Sequence, residues 1–247
     1  MSDFKIGVVV EGTTDRIIIE SVLNHILQDY TFKMIQLQPE QRFNDDGGFG
    51  TTGSGWGGIY RWCRQVVDMG FDILDNPSLK QFDIIIVHLD ADVAEKKYRD
   101  ANILNPKKDD LPCVSPCPPA SNTTTNLEQV IYNWLNLSGQ YFKPLVMCIP
   151  SKCIEAWIAV ACYGQNDTSI LMNIECNADI ENYLAQKPAK ERFIRNRKGK
   201  MKKLTKRYSE YSETITTKWN YIMEQCLQAK EFNDRIVTLK RNKYVMT

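Results

Sequence analysis

At 247 residues, with 43% hydrophobic and 25% charged residues, the chain has an ordinary globular composition, which favours neither a disordered nor a membrane-embedded class and allows a substantial core. No stretch approaches the roughly 20 apolar residues that a spanning helix needs, and the polar start MSDFK leads into a strand pattern, so the sequence reads as cytoplasmic, without membrane contact. The net charge of +1 hides an asymmetry: Met1 to Asp100 carries 16 Asp+Glu against 10 Lys+Arg, a balance of −6, whereas Lys187 to Arg207 carries 11 Lys+Arg against one Glu, a balance of +10.

In chain order, Lys5 to Val10 is a β-branched run suited to a buried strand, and Asp15 to Gln28 spaces its apolar residues as a one-faced helix. Phe32 to Leu37 predicts a second strand. The glycine-rich NDDGGFGTTGSGWGG then leads to a helix starting near Gly58, and Phe82 to Leu89 is the most continuous apolar strand, ending in DAD. Five prolines in NPKKDDLPCVSPCPPASN mark a surface insertion. A capping-box pattern at Thr125 and Glu128 predicts the next helix start. KPLVMCIP reads as a fourth strand, followed by a helix over CIEAWIAVACY. Beyond Asp179 only RIVTL suggests a strand; Trp219, Ile222, Met223, Cys226 and Leu227 mark a helix face, and the basic run is expected along a helical C-terminal part. The alternation predicts an α/β fold with a doubly wound, mostly parallel sheet and a helical, basic C-terminal portion. The expected division is 1–164 for a metal-binding catalytic domain and 165–247 for a helical basic region packed on it. The eight cysteines are expected as free thiols in a reducing cytosol, with a zinc site from Cys113, Cys117, Cys148 and Cys153 as the alternative.

The carboxylates carry the chemistry. Glu11 and Asp90 fall at the carboxyl ends of predicted parallel strands, where the crevice of such a sheet lies. Gly12 is expected to allow a sharp turn, and Asp15 falls in the first turn of a helix, where the dipole favours an anion. Asp90 and Asp92, in extended chain, would point the same way about 6.5 to 7 Å apart. Like charges this close raise each other's pKa, a cost that a divalent cation removes; Mg²⁺ or Mn²⁺ prefers oxygen ligands and leaves room for a phosphate.

The motifs VVVEGTTD, IIIVHLDAD and IPSKCIEAW, with GWGG, resemble the Toprim family, and most closely stand-alone Toprim-like nucleases of bacterial phage-defence loci, related to the nuclease half of overcoming-lysogenization-defect proteins. The resemblance covers roughly Met1 to Gly164. It implies that Glu11, Asp15, Asp90, Asp92 and Glu155 hold one or two metal ions and that the chain is a Mg²⁺-dependent endonuclease, the toxic effector of an anti-phage system. It also implies an ATPase partner encoded alongside, and it leaves homo-oligomerisation open. Ala94 stands where topoisomerase-type members carry a third aspartate, which favours the nuclease-like analogy.

Lys152 is a candidate for neutralising a transition-state oxygen, with an exposed loop lysine as the alternative. Arg195, Arg197, Lys198, Lys200, Lys202 and Lys203, with Phe193 and Tyr208 nearby, predict a surface that tracks the phosphate backbone of DNA or RNA without reading sequence. The glycine loop is either a phosphate cradle or a mobile connection. His25 and His88 read as structural. Two rivals remain: a non-catalytic nucleic-acid-binding subunit, and a DxD glycosyl- or phosphotransferase.

Overall fold

The structure is a computed structural model and describes residues 3–39, 52–69, 73, 76–137 and 144–245. The first eight elements are β1 (Phe4–Val9), α1 (Thr13–Ile26), β2 (Phe32–Gln38), α2 (Gly55–Asp68), β3 (Ile84–His88), α3 (Ser121–Trp134), β4 (Leu145–Cys148) and α4 (Glu155–Tyr163). The four strands form one parallel sheet in the order β2-β1-β3-β4. Strands β1, β3 and β4 are β-branched or apolar nearly throughout because both sheet faces are covered. Ile6, Val8, Ile84, Ile86, Val146 and Cys148 face the core shared with α1 and α4, while Val9, Ile85, Val87, Leu145 and Met147 face α2 and α3. Helix α1 therefore makes its crossover on one face and α2 and α3 on the other, so the winding reverses between β1 and β3.

The later elements are α5 (Ile180–Gln186), β5 (Ile194–Arg197), β6 (Lys200–Lys203), α6 (Thr205–Glu210), α7 (Ser212–Thr217), α8 (Trp219–Gln225) and α9 (Leu227–Val245). Beyond Glu155, helix α4 is apolar on nearly every side and is covered on its outer side by these helices. Trp157 of α4 meets Trp219 of α8 edge-on at 5.2 Å and stacks on Phe232 of α9 at 6.3 Å. The segments on either side of Gly164 thus contribute to one core. No helix among the described residues is long and apolar enough to cross a membrane.

Several expectations are corrected. The basic run is not helical: β5 and β6 form an antiparallel hairpin pairing Arg195 with Lys202 and Arg197 with Lys200. Lys198 and Gly199 turn the chain with φ of 51° and 80°, the left-handed pair that a two-residue hairpin loop requires. The Asn196 side-chain carbonyl accepts the Gly199 N–H at 3.0 Å and closes the turn. RIVTL lies within α9, where its apolar residues serve a helical stripe. Cys226 is extended and separates α8 from α9, so the predicted continuous face is broken, and Leu227 is exposed. Helix α3 starts at Ser121, which puts Thr125 inside it. Glu128 instead accepts a two-pronged contact from Arg235 at 2.8 and 2.7 Å that ties α3 to α9. Cys117 and Cys176 form a disulfide, because the proline-rich insertion folds back onto the turn Ile174–Cys176. That pairing removes Cys117 from the zinc alternative and removes the thiol-based argument for a reducing compartment.

Candidate metal centre

Glu11 follows β1 and Asp90 follows β3, adjacent strands whose carboxyl ends flank the point where the winding reverses. Open parallel sheets bind ligands at such a point. The two residues meet there: the Asp90 backbone N–H donates to Glu11 Oε1 at 3.2 Å. Gly12 is extended (φ −159°), and a Cβ on it would make only an ordinary 3.7 Å contact, so the expected glycine turn is not what bends the chain. Asp15 does this instead, its Oδ2 accepting the Gly12 N–H at 2.8 Å in a capping contact that starts α1. On the other side, the Gly55 N–H at the start of α2 donates to the Glu11 carbonyl at 3.0 Å. Gly55 has φ +67° there, which favours glycine. Residues 44–51 of the glycine-rich stretch, and the phosphate contact expected of them, lie outside the described residues.

Asp90 is buried and Oδ1 accepts the Ile154 N–H at 2.8 Å, which joins the end of β3 to the start of α4. His88 Nε2 lies 3.4 Å from the same oxygen, within ion-pair distance but without hydrogen-bond alignment. Glu155, in the first turn of α4, is fully buried. Its Oε1 accepts from Tyr208 Oη at 2.9 Å and forms an ion pair with Lys203 Nζ at 2.7 Å. Its Oε2 is buried with no hydrogen-bond partner among the described residues. The Lys203 ammonium also lies 3.7 Å from Asp15 Oδ1 and 3.8 Å from Glu181 Oε1. Three acidic side chains from three helices thus surround one ammonium.

The charges respond to this crowding. Burial, then repulsion from Asp90 and Asp15, pushes the Glu11 carboxyl up to about 8. Burial raises Asp90 to about 6, although the contact with His88 and the charge of Lys203 work against the rise. Burial alone would lower Lys203; Glu155, Asp15 and Asp90 outweigh it and hold the ammonium charged well above the ordinary lysine range. Glu181 is raised by burial and by Glu155. Tyr208 is raised by burial and by Glu155, and so remains a donor.

The structure brings Glu11, Asp15, Asp90 and Glu155 to one side of the sheet edge and separates the other candidates. Asp92 does not extend beside Asp90, because the chain enters a 3-10 turn over Ala91–Glu95 in which side chains two apart diverge. It is half-buried and paired with Lys96 at 3.1 Å. Lys152, at φ +59°, pairs with Glu95. Its carbonyl accepts the Asp92 N–H at 3.0 Å, so it braces that turn. Among the described residues no group of three or more His, Cys, Asp or Glu side chains is arranged to hold a metal ion; the ammonium stands between the acids.

Of the basic residues, Arg195, Arg197, Lys200 and Lys202 share the exposed face of the hairpin and make no ion pair among the described residues, with Lys198 exposed at its tip. Lys203 is corrected: register places it on the opposite face with Ile194, turned toward the carboxylates. Phe193 and Tyr208 are corrected likewise, being fully buried and packed edge-on at 5.5 Å at the hairpin root. The sequence reading missed Glu181, Tyr208 and the inward role of Lys203. The signal for the last was the alternation Ile194, Asn196 and then Met201, Lys203 around a Lys-Gly pair, which reads as a hairpin with one inward face. No family model, curated protein or solved structure matches this chain.

Proposed function

We propose that the chain is a Toprim-like, Mg²⁺- or Mn²⁺-dependent phosphodiesterase acting on DNA or RNA. The observation that carries this reading is the meeting of Glu11 and Asp90 at the reversal point of the sheet, with Asp15 and Glu155 turned to a common cation. The donor set fits a hard divalent ion: it is all carboxylate oxygen, one of those oxygens is buried and unpartnered, and a positive charge already neutralises the cluster. Glu11, Asp15, Asp90 and Glu155 would hold the ion, which would supply polarisation of a phosphodiester and a lowered pKa for an attacking water.

The protein's own groups do the rest. Tyr208 fixes Glu155 by its hydrogen bond, and the Ile154 N–H fixes Asp90. Lys203 presents its ammonium to the carboxylates of the crevice, where it offsets their mutual repulsion. Arg195 stands opposite Lys202 and Arg197 opposite Lys200, like-charge pairs that cost the hairpin stability and that a phosphate backbone would neutralise. A role as toxic effector in phage defence, held in check by an ATPase partner, follows from the sequence resemblance and belongs to the same proposal.

A second reading rests on the same ammonium: if Lys203 occupies the cation position permanently, the chain is a binding module that never loads metal. Incubation with labelled DNA and RNA pools separates the two. Cleavage that requires Mg²⁺ or Mn²⁺ and is lost in both Glu11→Gln and Asp90→Asn supports the enzyme, and metal-independent binding without cleavage supports the module.

A further inference from the structure

Lys203 stands where its hairpin would not be expected to put it. A lysine on an exposed, strongly basic hairpin would be expected in solvent, yet its ammonium sits within 4 Å of Asp15, Glu155 and Glu181, two of them among the candidate ligands. Glu181 belongs to α5, outside the stretch covered by the sequence motifs. Glu155 adds an independent sign that this place is built for a cation: it is fully buried, and its second carboxylate oxygen has no hydrogen-bond partner among the described residues. A buried anionic oxygen without a donor is costly, and a single ammonium does not satisfy it.

We infer that the Lys203 ammonium and a divalent cation are alternative occupants of one site lined by Asp15, Glu155 and Glu181, so that metal loads only as Lys203 withdraws. The hairpin then acts as a built-in competitor for the metal, and Glu181 is an added ligand. This rests on the metal reading of the same carboxylates. The two cations compete for the same carboxylate oxygens and repel each other wherever both stand within about 4 Å. The ammonium, tethered to β6, cannot diffuse away and is always present at high local concentration.

The test uses Mn²⁺ alone, without substrate. Isothermal titration of the full chain should show Lys203→Met binding Mn²⁺ about tenfold or more tightly than the wild type, because a competing charge is gone. Glu181→Gln should weaken binding severalfold. The unmodified protein supplies a readout that does not depend on a variant folding: acylation of lysine amines by an N-hydroxysuccinimide ester, mapped by mass spectrometry. Lys203 should be protected without metal and severalfold more reactive at saturating Mn²⁺. Unchanged Lys203 protection at saturating Mn²⁺, or weaker Mn²⁺ binding by a folded Lys203→Met, overturns the exchange and leaves the metal site standing. Unchanged Mn²⁺ affinity in Glu181→Gln removes Glu181 from the site. No Mn²⁺ binding by the wild type or any variant overturns the exchange together with the metal reading beneath it.

Discussion

The backbone N–H of Asp90 donates to Glu11 Oε1 at 3.2 Å, joining the carboxyl ends of β3 and β1 where the winding of the sheet reverses. Burial, opposed only in part by His88 and Lys203, lifts Asp90 to about 6, so its charge is disfavoured in the metal-free fold. Asp90→Asn keeps an acceptor for the Ile154 N–H and removes that charge. The thermal midpoint at pH 7.5 is therefore expected to stay the same or rise by a few degrees, as a change near 1 kcal/mol does in a domain of this size, while Mn²⁺ binding by calorimetry is lost. A fall of more than ten degrees would mean that the carboxylate is structural.

Tyr208 holds Glu155 from a fully buried position. Tyr208→Phe keeps the ring contact with Phe193 and deletes one hydrogen bond to a buried carboxylate, a loss of about 1.5–3 kcal/mol. Urea unfolding should show this drop with an unchanged m value. Lys203→Met in the same background should then cost more than the two single changes imply, because Glu155 Oε1 would lose both its hydrogen bond and its ion pair.

The pH dependence follows from Glu11, whose carboxyl is raised from an ordinary 4.5 to about 8. Between those values the folded protein binds a proton that the unfolded chain has released. Its contribution is therefore fully present below the unfolded pKa and is lost as pH rises toward 8. Metal-free protein should accordingly melt at lower temperature at pH 8.5 than at pH 6, while Glu11→Gln flattens the profile. Cation binding must displace the same proton, so Mn²⁺ affinity should rise from pH 6 to 8.5 with proton release measurable in buffers of different ionisation enthalpy.

Arg195, Arg197, Lys200 and Lys202 share one exposed hairpin face. Replacing all four with glutamine should weaken binding to every nucleic-acid sequence alike and reduce the slope of log affinity against log salt by about 3, the sum of 0.7–0.9 for each lost phosphate contact. Lys203, on the other face, should contribute little to that slope. Fluorescence anisotropy across a salt series checks both statements, and an unaltered slope in the fourfold variant would assign the face to a protein partner.

What the sequence made legible was governed by period and strand ends. The β-branched runs ending in Glu11 and Asp90 announced a parallel sheet and its crevice, and α4 was visible in CIEAWIAVACY. The failures are local. Asp92 diverged because an i to i+2 spacing carries different directions in an extended chain and in a 3-10 turn, and nothing in DADVA distinguishes them. The basic run was read by charge, which is indifferent to register; its alternation, which decides that Lys203 points in and Lys202 points out, was hidden by the number of lysines. Glu181 and Tyr208 reach the site through tertiary contacts from segments with no motif of their own.

The central claim is that these carboxylates work with a divalent ion on a phosphodiester, and the most direct measurement is cleavage itself. Purified protein is incubated with end-labelled DNA and RNA pools in Mn²⁺, Mg²⁺ or chelator, and the cut ends are mapped. The account predicts cleavage of at least one pool that appears with Mn²⁺ or Mg²⁺, vanishes with chelator and is absent from Glu155→Gln. Cleavage that persists in chelator, or survives unchanged in Glu155→Gln, would contradict it.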